Sequence, residues 1–157
     1  MSIFDILNNR PVLIGLHLGF AIIGIDGFLW VLGELIAGVK SMRRILYAAV
    51  IGLSGFVLAW FFGGYYYVVY YGTQVKPIIK EGITPWAHSI MMETKEHIFL
   101  FLIPLAITAT LFAFLNKEEF DKNNFKKSTV WITLLIILIG FAIGIMGYII
   151  SAAARWG

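Results

Sequence analysis

Val130-Trp-Ile-Thr-Leu-Leu-Ile-Ile-Leu-Ile-Gly140-Phe-Ala-Ile-Gly-Ile-Met-Gly-Tyr-Ile-Ile-Ser-Ala-Ala-Ala154 is a run of 25 residues without one charged side chain. An α-helix rises 1.5 Å per residue and the hydrocarbon core of a bilayer is about 30 Å thick, so about 20 apolar residues suffice to cross it. Three further runs qualify, 11–39, 45–71 and 97–115. Together the four hold about two thirds of the 157 residues, which leaves no room for a separate soluble domain. The short alternating segments of a β-barrel are absent from the sequence. The expectation is an all-α polytopic membrane protein: one domain over 1–157, built as an up-down bundle of four transmembrane helices.

Composition agrees. Hydrophobic residues make up 60% of the chain and charged residues 13%, against about 45–50% and about 25% in ordinary soluble domains. This excludes a soluble globular enzyme, a disordered tail and a nucleic-acid-binding domain; the expected partner is the lipid bilayer. With no cysteine, disulfides, thiolate metal sites, iron–sulfur ligation and covalent haem attachment are excluded. The first ten residues lack the basic region of a signal peptide, so the first helix is expected to remain in the mature protein.

Topology follows from the placement of twelve basic residues. Seven (Lys40, Arg43, Arg44, Lys117, Lys122, Lys126 and Lys127) lie in or beside the first and third connections, and five (Arg10, Lys76, Lys80, Lys95 and Arg155) lie on the other side. The positive-inside rule then puts those two loops in the cytoplasm, with both termini and the long second connection outside, in a plasma (inner) membrane protein of the multi-pass kind.

Local signals refine the spans. Pro11 suits the first turn of helix one. Gly72–Ile83, with Lys76-Pro77 and Glu81-Gly82, reads as a loop. Thr84-Pro85 reads as a cap and first turn, so helix three is expected to extend upward from 85, over about 46 Å to Leu115. Pro104 should weaken that helix by freeing the Leu100 carbonyl. Gly140, Gly144 and Gly147 give helix four a small-residue face for close packing. The tyrosines Tyr65, Tyr66, Tyr67, Tyr70 and Tyr71 read as an interfacial belt.

Chemistry is concentrated in a few residues. The three histidines are His17, His88 and His97. With each span centred on the membrane midplane, His17 and His97 both lie about 12–13 Å toward the outer side, on helices that are diagonal partners in a four-helix bundle. They are therefore the candidate axial ligands of one b-type haem, with quinol or an external partner exchanging electrons. Ala21, Gly24 and Phe28 share the face of His17, and small residues there leave space that a porphyrin or a neighbouring helix would use.

A zinc, copper or iron site is the alternative cofactor. Glu93 and His97, four apart on one helical face, would join His17 in it, with His88 as a lid ligand. His88 and Lys95 share another face, about 140–180° away, so one continuous helix cannot turn both sets toward one ion. Met91 and Met92 suit copper(I) or soft apolar filling.

Asp26 lies at the midplane, about 180° around helix one from His17. An unpaired carboxylate at that depth requires a partner, a water cavity or a proton. Glu34 would extend a polar path toward the cytoplasm. Together with the glycines of helix four, Asp26 motivates a third reading, a cofactor-free assembly or scaffold subunit that pairs with another membrane subunit or forms a homo-oligomer. Whether the chain is an enzyme is left open by these residues.

Leu16-His17-Leu18 early in helix one, and Lys95 with His97 where helix three enters the membrane, resemble the small helical-bundle membrane proteins that include the HemJ-type protoporphyrinogen oxidases and the copper-resistance D-type proteins. The resemblance covers about 30 residues. It implies haem association and functional roles for His17 and Lys95, whereas the Trp86–His97 stretch, with its Met-Met-Glu and extra histidine, departs from that pattern. The same segment resembles uncharacterised small four-helix membrane proteins.

Overall fold

A computed structural model describes residues 5 and 7–156, and these are all-helical, without strands. Four helices are long and apolar enough to cross a membrane. Helix α1 is Arg10–Ile36. The second rod is α2, Met42–Tyr66, continued by the π-helical segment π1, Tyr67–Val75, and by α3, Lys76–Glu81. The third joins the π-helical segment π2, Ala87–Met92, to α4, Glu93–Ala113. A short α5, Lys117–Lys122, leads into the last rod, α6, Phe125–Trp156. The first rod packs on the second and fourth, and the third packs on the same two. The first and third rods are therefore diagonal.

Helix starts follow local chemistry. The Asn9 side chain accepts from the Val12 amide at 3.3 Å, with Pro11 in the first turn, and Asn116 does the same for Glu119 at 2.8 Å. These bonds satisfy amides that have no partner inside the helix. At Thr84 the expected side-chain cap bond does not form, its hydroxyl being buried without a partner, but the helix starts where expected: Trp86 is helical and the Thr84 carbonyl accepts from the Ala87 amide at 3.0 Å.

The second rod departs most from expectation. The stretch read as a loop from Gly72 is helical through Glu81, giving a rod of 40 residues, about 60 Å long. The widened π1 turns, in which the Lys76 amide bonds the Tyr71 carbonyl, carry the chain into the Pro77 turn without a break. Pro104 likewise leaves α4 continuous.

Glycine sets the tightest packing, between α1 and α2 rather than on α6. A Cβ on Gly27 would lie 2.5 Å from the Gly52 Cα, and one on Gly55 would lie 2.6 Å from the Gly24 nitrogen, so the two backbones touch. Phe28 and Phe56 stack beside this seam, with centroids 5.7 Å apart. The Phe56 ring fills the space over Gly24. The small-residue face around Gly24 is therefore used for packing α1 on α2. On α6, Gly140 packs against Ile25, whereas Gly144 has no atom within reach of an added Cβ.

Candidate functional site

The Arg10 end of the bundle, where α1 and α4 begin and α6 ends, holds a connected set of polar side chains. His17 projects from α1 onto α2. Its Nδ1 donates to the Ala59 carbonyl at 2.8 Å, and Gly63 is the residue that makes room, because any Cβ there would run into the imidazole. A carbonyl only accepts, so a hydrogen sits on Nδ1, and in the neutral imidazole the lone pair is then on Nε2. This is the arrangement in which proteins prepare a histidine to accept a proton or ligate a metal.

Lys95 reaches the same region from the diagonal helix. Its ammonium lies beside Gly147, where an added Cβ would come within 3.4 Å of Nζ, and close enough to His17 to act on it electrostatically. On the next residue, Glu96 is half-buried and near enough to Tyr67 to act on its hydroxyl. The Tyr67 ring stacks on Tyr71 with centroids 5.2 Å apart, and the Tyr71 hydroxyl meets His88 Nδ1 at 3.0 Å. Tyr71 and His88 are 1% and 3% exposed. His88, Tyr71 and Tyr67 are thus joined by contact, and Glu96, Lys95 and His17 lie near enough for electrostatic influence between neighbours.

The two π-helical segments make this possible. Tyr67 and Tyr71 belong to π1 and His88 to π2. Wide turns of this kind are rare and concentrate at functional sites. Rings four apart stack along this face, Tyr66 on Tyr70 and Tyr67 on Tyr71, as neighbours one turn apart do. Met92 is buried beside Tyr71, Val75, Ile79 and Ala87 as apolar filling.

Several expectations are corrected here. His97 is exposed, and its Nδ1 donates to the Glu93 carbonyl one turn back at 2.6 Å. Glu93 is also exposed. Neither faces His17, and the Glu93–His97 carboxylate–imidazole pair does not form. Among the described residues no three His, Cys, Asp or Glu side chains are grouped to hold a metal ion. His88 is buried within the bundle rather than an exposed lid, and Tyr71 is core, not belt. Glu34 forms a local clamp, not a path: it is buried, paired with Arg44 at 2.6 Å and bonded by the Trp30 indole at 3.2 Å. Asp26 lies on the exposed side of α1. Tyr67, Tyr71 and Glu96 were missed as site residues; the Tyr66/Tyr70 and Tyr67/Tyr71 spacing was their signal.

The donor chemistry at His17 fits one imidazole ligand, with the Lys95 ammonium placed to pair with a carboxylate. It does not fit bis-histidine ligation by His17 and His97. No family model, curated protein or solved structure matches the chain.

Proposed function

We propose that the protein is an integral membrane redox protein that takes haem, or a related porphyrin, at His17, with Lys95 beside it. The observation that carries this reading is the His17 imidazole with its Nδ1 tied to the Ala59 carbonyl, and Lys95 of the diagonal rod near enough to act on it electrostatically. These are also the two positions marked by the resemblance to HemJ-type proteins. Bound there, the group would supply one-electron chemistry. The chain's own residues would do the rest: Ala59 orients the imidazole, and Lys95 would pair with a carboxylate of the bound group. The Tyr71–His88 hydrogen bond, with Glu96 near Tyr67, would hold protons beside them.

In this reading the four apolar rods span a plasma (inner) membrane, with the Arg10 end outside by the positive-inside rule, and quinol is the lipid-soluble electron partner. The test is a reduced-minus-oxidised absorbance spectrum of protein purified from haem-supplemented cells. A Soret band in the wild type that is lost in His17→Ala supports the proposal. A wild type without a Soret band, or an unchanged spectrum in the variant, rejects it.

A further inference from the structure

Asp26 sits midway along the α1 span and faces outward from the bundle. Among the described residues it has no hydrogen-bond or ion-pair partner. In a bilayer that face meets hydrocarbon, where a lone carboxylate is among the costliest groups a helix can present. Its own fold does not relieve it, so the relief comes from outside the chain.

What flanks Asp26 identifies the source. Gly15, Gly19, Ile22, Asp26, Leu29 and Gly33 recur at spacings of 4, 3, 4, 3 and 4 along α1, and all six are exposed. That is the 3.5-residue repeat of a helix–helix seam. Gly15 and Gly19 form the Gly-x-x-x-Gly spacing of closely approaching transmembrane helices. An added Cβ at Gly15, Gly19 or Gly33 would meet nothing in this chain, whereas the opposite face of α1 carries Gly24 and Gly27, whose contacts α2 already uses. The seam is complete and unfilled.

We infer that a second copy of this chain fills it, through a parallel pairing of α1 with α1 in which the two Asp26 carboxyls face each other. A basic partner would reach an aspartate from an ordinary helix separation, because Lys and Arg side chains are long. Aspartate is short, and two of them meet only where the backbones come close, which is what glycines on both sides of Asp26 allow. A two-fold axis along the membrane normal places every seam residue opposite its own copy. Two carboxyl groups sharing one proton then satisfy each other with a hydrogen bond. This inference is independent of any cofactor at His17, which lies on the other face of α1.

The absence of native cysteine makes the test direct. Single-cysteine variants Ile22→Cys and Leu29→Cys, and Leu138→Cys on exposed α6 as control, are oxidised in native membranes and in vesicles of purified protein at low protein-to-lipid ratio. Disulfide-linked dimers at 22 and 29 and none at 138, in both preparations, support the seam. Adding Asp26→Leu or Gly19→Leu should lower the dimer yield about tenfold, while Asp26→Asn, which still pairs symmetrically, should keep it. Two results would overturn the inference: no seam-specific dimer in purified vesicles, or cross-linking in native membranes to a product that is not twice the chain's mass.

Discussion

The two halves of the bundle are built from the same four rods by opposite means. In the middle, glycines and alanines bring α1 and α2 into backbone contact, and Phe28 and Phe56 lock the seam. Toward the Arg10 end the close seam stops at Gly63, which yields its space to an imidazole, and the helices widen into π turns around tyrosine, histidine, glutamate and lysine. One half maximises contact; the other gives up regular helix hydrogen bonding to bring polar groups together. A bundle stabilised only by packing would have no use for the second half, which is why function is assigned there.

The largest expected effect breaks the packed half. Gly27→Leu would drive a side chain into the Gly52 backbone and the Ala48 carbonyl, where no flexible atom can yield, so destabilisation should reach about 3 kcal/mol or more. Thermal unfolding in detergent would show a lower midpoint and loss of monodisperse protein. The same substitution at Gly144, which meets nothing, should leave both unchanged.

A smaller effect is expected at the far end. Arg44→Ala leaves the buried Glu34 carboxylate with the Trp30 indole alone. Half the Arg44 side chain is already in contact with solvent, so the loss should be about 1–2 kcal/mol, below that of a fully buried pair. An unchanged unfolding midpoint for this variant would show that the clamp is ornamental.

The smallest effect on stability sharpens the polar half. Tyr71→Phe removes one hydroxyl and its bond to His88 while keeping the stack on Tyr67, at a cost of about 1 kcal/mol. If the polar set works as a unit, this variant should alter the redox midpoint or electron-transfer rate more than its stability change suggests. A proportionate loss of both would reduce Tyr71 to a packing residue.

The four rods were legible in the sequence because a hydrocarbon solvent demands long apolar runs, and nothing else competes to place them there. The course from Gly72 to Glu81 was not, because Gly72 and Lys76-Pro77 carry loop chemistry; Gly72 falls within π1, and Pro77 stands in the first turn of α3, where its missing amide costs little. At the start of helix three, the spacing correctly separates two faces, His88 with Lys95 and Glu93 with His97. The choice of the inner face was reversed. Apolar residues surround α4 on all sides, as lipid and core both require, so no hydrophobic stripe marks which face is inside. Burial of His88 and exposure of His97 settle that choice only once the rods are packed.

The central claim is that the inward set, His17 with Lys95, performs the chemistry and the outward His97 does not. Side-by-side reduced-minus-oxidised spectra of His17→Ala and His97→Ala, each checked for native helicity, test it most directly. The account predicts that haem absorbance disappears with His17 and persists without His97; equal loss in both would restore the bis-histidine arrangement and contradict it.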